Sequence, residues 1–298
     1  MSPKDLLLAL TVVLVWGVNF VVIKVGLHGV PPMLLGALRF ALVAFPAVLF
    51  VPRPKIPLKW LLAYGATISL GQFAFLFSAM YVGMPAGLAS LVLQSQAFFT
   101  LTIAALVLRE PIRWFHLAGM AVAACGLAII GVAGQATTGV ATGMTTAGFL
   151  LTLCAAFSWA SGNIVTKRIG KVNVVSLVIW GAVIPPVPFL LLSYWMEGPE
   201  QIVHSLTNIG WSSIGAIVYL SFGATIFGYS LWSRLLGRYA ASQVAPLTLL
   251  VPVVGLISAA VLLDERLVPA QWLGGAVVMG GLLLNVFGGR LAARRAMA

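Results

Sequence analysis

Residues 16–24 read WGVNFVVIK, and residues 159–167 read WASGNIVTK. Each segment opens on Trp (Trp16, Trp159), closes on Lys (Lys24, Lys167) and holds one Asn (Asn19, Asn163). Each also ends an uncharged apolar run. A chain that writes such a segment twice, 143 residues apart, is read as a duplication.

Composition sets the solvent. The 298 residues are 61% hydrophobic and only 8% charged, against about 25% charged in a soluble domain. Too few polar groups exist to cover a water-facing surface, so the bilayer is the expected partner. The net charge of +11 does not indicate nucleic acid. The basic residues come in twos and threes between long apolar runs, as in cytoplasmic membrane loops, and not along one soluble face. The lysine and apolar run at the N-terminus are read as a retained first span, because the run continues to Ile23 without a small-residue cleavage site. Cys125 and Cys154 lie in apolar runs and are expected to be small buried packing residues.

A span needs roughly 20 apolar residues. Charges and Pro/Gly punctuation divide the chain into ten, at about 6–26, 31–51, 60–80, 85–108, 112–132, 146–166, 173–195, 211–233, 240–263 and 268–289. The uncharged run from Trp60 to Leu108 is too long for one span and turns at Gly83-Met84-Pro85; the Gly/Thr-rich stretch 131–148 divides the next. With both termini cytoplasmic, 14 of the 17 basic residues fall inside, whereas Glu197, Glu200, Asp264 and Glu265 fall outside with one arginine, Arg266. Lys24 and Arg39 sit near outer span ends.

Other segments repeat. SLGQFAFLFSAM (69–80) aligns with SFGATIFGYSLW (221–232), placing Phe77 opposite Tyr229. Leu108-Arg109-Glu110 aligns with Leu263-Asp264-Glu265, and Gly119 and Gly126 with Gly274 and Gly281. The offset grows from 143 to 152 to 155. The expected fold is therefore all-α and integral to the membrane: ten transmembrane helices, as two halves (1–140 and 145–298) of five spans each. An odd number per half inverts the second, an architecture common among secondary transporters.

The duplicated five-span unit, the paired Trp/Asn segments, Leu38-Arg39-Phe40 and the LRE-P…G and LDE…G segments resemble the EamA-type branch of the drug/metabolite transporter superfamily, over nearly the whole chain. Within that branch the chain looks most like bacterial exporters of aromatic amino acids. The resemblance implies efflux of small metabolites across the inner membrane, without a cofactor. It also implies that spans 1, 3, 4, 6, 8 and 9 surround a central cavity, with 5 and 10 at the periphery. One departure is that Asn19 follows Trp16 by three residues whereas Asn163 follows Trp159 by four.

Polar groups inside those spans are the candidate substrate contacts: Asn19, Gln72, Gln94, Ser95, Asn163, Gln243 and Thr248. Amides and hydroxyls can bind a zwitterion without adding net charge; the alternative is interhelical hydrogen bonding. The aromatic candidates Trp16, Phe77, Tyr81, Phe98, Trp159, Tyr219 and Tyr229 offer apolar walls or a cation–π face; the alternative is lipid contact or an interfacial belt. Trp60, Trp114, Trp195, Trp211 and Trp272, near span ends, are belt residues. Arg39 lies about 12 Å into span 2 at 1.5 Å per residue, either as a structural anchor or to attract a substrate carboxylate. Pro185, Pro186, Pro188 and Pro252 are candidate hinges. Gly274, Gly281 and Gly288 mark a packing face, for scaffold or dimer.

All six acidic residues fall in loops or at span ends, so substrate movement down its own gradient is expected, with proton coupling through Glu110 or Glu265 the minor reading. No G-x-x-x-x-G-K phosphate loop is present. The rival functions are extrusion of lipophilic cations or drugs, lipid translocation and, less so, a membrane enzyme.

Overall fold

The computed structural model describes residues 1–136 and 144–295. Among these, ten helical stretches are long and apolar enough to cross a membrane. They are span 1 (Pro3–Leu27), span 2 (Pro32–Leu49), span 3 (Leu58–Tyr81), span 4 (Ala86–Leu108), span 5 (Trp114–Ala133), span 6 (Thr146–Ile169), span 7 (Val174–Met196), span 8 (Trp211–Arg238), span 9 (Ala245–Leu262) and span 10 (Pro269–Gly289). All ten expected spans are present, within a few residues of their expected limits. Residues 137–143 of the expected Gly/Thr-rich divide between spans 5 and 6 lie outside the described residues. A short surface helix, Pro199–Thr207, joins spans 7 and 8.

Several spans are not continuous α-helices. Span 3 winds as a π-helix over Gly65–Gly71, and span 8 does so over Tyr219–Phe227. Span 4 tightens to a 3-10 turn at Leu93–Ser95, and span 9 at Ala245–Leu249. At the offsets of 152 and 155 these breaks overlap, so the third and fourth spans of each half deviate in the same way. Span 7 breaks just before Pro186, between helices Val174–Gly181 and Pro186–Met196. The proline there has no N–H to continue the ladder and favours a helix start.

Spans 5 and 10 pack along one another through glycines. A Cβ on Gly119 would lie 2.8 Å from the Gly281 carbonyl oxygen, and one on Gly126 would lie 2.7 Å from that of Gly274. The reverse tests, from Gly281 to Gly119 and from Gly274 to Gly126, give 2.6 and 2.8 Å. As one helix advances its neighbour retreats, so the two run antiparallel at backbone contact. The Gly274 and Gly281 face is therefore filled within the chain and is not a free dimer face.

Two expectations on exposure divide. Trp114, Trp195, Trp211 and Trp272 are exposed near span ends, as belt residues should be. Cys125 and Cys154 are also exposed, contrary to the buried packing role expected. The reason is the solvent: in lipid an apolar position is equally at ease facing outward, so hydropathy alone does not report burial.

Candidate functional site

The helix breaks organise the site. Span 1 packs on the π segment of span 8 and the 3-10 segment of span 9; span 6 packs on the π segment of span 3 and the 3-10 segment of span 4. Thus the first span of each half lies against the irregular segments of the other. Irregular backbone at membrane depth survives only where protein or a wet cavity satisfies it, and π turns recur at functional sites.

Side chains bridge each of these junctions. The Trp16 indole donates to the Ala224 carbonyl at 2.9 Å, and the Tyr219 hydroxyl to the Val15 carbonyl at 2.8 Å. On the other side, the Ser158 hydroxyl donates to the Thr67 carbonyl at 2.9 Å. Val15 and Tyr219 are the repeat equivalents of Ser158 and Thr67, so one junction is made twice with different donors. Gly228 lets the indole approach, since a Cβ there would lie 2.6 Å from its Nε1. Trp16 also packs against Tyr229 and Trp232, with ring centroids 5.3 Å away in each case.

Around the span 6 junction the polar groups are neutral. Asn163 Nδ2 donates to Gln96 Oε1 at 2.9 Å and to Thr100 Oγ1 at 3.1 Å. Gln72, Gln94 and Ser95 are buried, and Phe98 lies at the edge of burial. The Ser95 hydroxyl, buried beside these amides, has no hydrogen-bond partner; neither has Asn19 Oδ1. Such groups are costly unless something arrives to meet them. Trp159 is half-buried against the core.

Arg39 occupies a separate niche between spans 2, 3 and 8. It is only 3% exposed. One nitrogen, Nη2, donates to Thr225 Oγ1 at 3.0 Å, while Nε and Nη1 have no partner. The guanidinium lies 4.0 Å from the Phe73 ring centroid, 5.3 Å from Phe40 and 5.9 Å from Phe77, and Tyr229 is within electrostatic reach. Of the repeat equivalents Phe77 and Tyr229, Phe77 borders this cation and Tyr229 lies within its electrostatic reach. Its donors exceed its acceptors, so two buried nitrogens lack the partner that an anionic group would supply.

The structure does not bring every candidate together. Tyr81 is exposed at the end of span 3, and Gln243 is exposed before span 9. Thr248 turns back on the Ala245 carbonyl at 2.7 Å. Conversely, Phe73, Thr100 and Ser158 take part in these contacts and are not among the candidates above. Phe73 lies one turn before Phe77 on span 3, and Ser158 precedes the repeated Trp159, so spacing carried a signal for both.

A ten-span bundle with neutral polar residues at paired helix breaks defines a membrane transporter. Comparison with known proteins agrees. The EamA-like transporter family matches residues 4–132 and again 146–287, and the chain belongs to that family. It is 56% identical over 295 residues to the probable amino-acid metabolite efflux pump of Salmonella typhimurium, covering 98% of this chain and 97% of that protein. The Escherichia coli K12 protein of the same description is 55% identical, covering 97% and 96%. A probable terminal-alkyne amino-acid exporter of Streptantibioticus cattleyicolor is 29% identical, covering 93% and 91%. One solved crystal structure, 20% identical, matches both chains over their full length with a TM-score of 0.61 and establishes the fold alone.

Proposed function

We propose that this chain exports neutral amino acids, or small metabolites built like them, across the bacterial inner membrane by alternating access. Both termini are cytoplasmic in this reading. Residues 1–140 and 145–298 form two inverted five-span repeats, and the substrate is held where the first span of each half meets the irregular segments of the other. The observation that carries it is the matched pair of helix breaks beside neutral amides. Two family matches within one chain, the antiparallel Gly119–Gly281 and Gly126–Gly274 contacts and the names of the relatives support it. The fixed, buried Arg39 cation argues against lipophilic cations as the main cargo.

Movement down the substrate's own gradient is the proposed energy source. Asp5 is the one carboxylate among the buried polar residues described, and it lies in the first turn of span 1, bonded to Tyr239 and Ser2. The test is counterflow of L-leucine and L-phenylalanine in liposomes holding the purified protein, with a pH-sensitive dye inside. Saturable exchange without proton movement is expected. No uptake of either amino acid, with brisk uptake of a lipophilic cation, would overturn the substrate class. Proton entry in step with uptake would overturn the energy source.

A further inference from the structure

A cavity of about 160 Å³ opens at the end of the bundle where span 4 finishes. Thr100, Leu101, Ala104, His116, Glu110 and Lys167 are among its walls. Lys167 Nζ holds both Glu110 carboxylate oxygens, at 2.8 and 2.6 Å. The two side chains are still 48% and 47% exposed. A half-exposed pair contributes little to stability, so its place in a cavity wall calls for another account. Thr100 joins this cavity to the amide cluster, since Asn163 donates to it at 3.1 Å.

The repeat equivalents Lys24 and Glu265 lie at the opposite end of span 4 and are differently engaged. Lys24 Nζ donates to the Met80 carbonyl at 2.7 Å. Glu265 accepts from the Ala86 and Gly87 amides at 2.7 and 2.9 Å, on the first turn of span 4. Glu265 also lies within electrostatic reach of Lys24. The same two charges are thus drawn into the backbone at one end and presented to a cavity at the other.

We propose that the Lys167–Glu110 pair is an entry site for the charged head of a zwitterionic substrate. The substrate carboxylate exchanges onto Lys167, its ammonium onto Glu110, and its apolar side chain lies against Leu101 and Ala104. Thr100 and Asn163 then pass it to the neutral amides. This rests on the amino-acid reading above and adds where recognition begins. Lys24 and Glu265 serve the same purpose at the far end, once Glu265 leaves the Ala86 and Gly87 amides.

The experiment uses the reconstituted full chain and two trios of ligands. These are L-leucine, isopentylamine and 4-methylpentanoate, and L-phenylalanine, phenethylamine and 3-phenylpropionate, competing against the corresponding labelled amino acid. Lys167→Met should raise the half-saturation concentration of the amino acids about three- to fivefold, the worth of one half-exposed charge, and leave the amines unchanged. Glu110→Gln should do the same to the amino acids and leave the acids unchanged. The exchanged double variant, Lys167→Glu with Glu110→Lys, should recover most of the loss. Equal effects on all three members of a trio, no effect on any, or a folded exchanged variant without recovery would overturn the assignment. If the single variants do not fold, the exchanged pair alone decides. A wild-type protein that moves neither amino acid sinks the transport reading and this one with it; normal wild-type uptake with indifferent variants sinks only the entry site.

Discussion

The Trp16 indole reaches across the repeat boundary and donates to the Ala224 carbonyl at 2.9 Å, inside the π segment of span 8. A π turn shifts the helical ladder by one residue and opens carbonyls to outside donors. Trp16→Phe keeps an aromatic ring but removes the donor and part of the indole's packing. Loss of the bond alone should cost about 0.5–1 kcal/mol in the membrane, and the variant should slow exchange more than it weakens substrate binding, because the bond holds a helix break in place. Thermal unfolding in detergent beside uptake kinetics checks this. Trp114→Phe, at an exposed belt position, is the matching control and should change neither.

Arg39 presents a different balance. Its burial costs free energy, which the Phe73 ring at 4.0 Å and Thr225 at 3.0 Å offset. Removing a buried charge with unpartnered donors is often neutral for folding. Arg39→Met should therefore leave stability within about 1 kcal/mol of wild type and lower amino-acid uptake at least tenfold. Unfolding curves and uptake on the same preparation separate the cases. A parallel loss of both would make Arg39 an anchor and remove it from substrate recognition.

Much of this arrangement was legible in the sequence, for a simple reason. A bilayer demands apolar runs of fixed length and charged residues between them, and both are written residue by residue. The Trp16 and Trp159 segments betray the duplication, and each lies at one of the two equivalent junctions. The break in span 7 was legible from Pro185 and Pro186, whereas those in spans 3 and 4 were not. Gly65–Gly71 and Leu93–Ser95 contain no proline, and both lie packed against span 6. Which side of a helix faces inward was legible only in part. Asn163 and Gln243 are alike in sequence as amides in expected spans, yet Asn163 meets Gln96 and Thr100 while Gln243 is exposed before span 9. Tyr81, like Gln243, lies at a span end, whereas Cys125 sits mid-span and faces outward: span membership fixes depth but not rotation.

Asn163 joins span 6 to span 4 through two acceptors at once, Gln96 Oε1 and Thr100 Oγ1. Asn163→Leu removes both donors and leaves the Gln96 amide without its partner. Asn163→Leu with Gln96→Leu removes the stranded group as well. The pair should be non-additive by about 0.5–1 kcal/mol in a double-mutant cycle. Uptake should fall severalfold in each single variant and no further in the double. Additive losses in both stability and uptake would mean that the two amides act independently.

The glycine contacts between spans 5 and 10 give the sharpest test of the packing. At Gly119 the nearest obstacle to a Cβ is the Gly281 carbonyl oxygen, at 2.8 Å, which belongs to the backbone and has no rotamer to escape into. At Gly280, one residue from that contact, a Cβ would meet nothing within 4 Å. The same chemical change should therefore act in opposite directions. Gly119→Ala forces the helices apart and should destabilise by about 1–3 kcal/mol. Gly280→Ala adds only helix propensity and should be neutral or stabilise by up to about 1 kcal/mol. Unfolding of both variants in the same detergent measures the difference. Equal effects would show that spans 5 and 10 do not meet along Gly119 and Gly281. The antiparallel contact that supports inverted halves would then be lost.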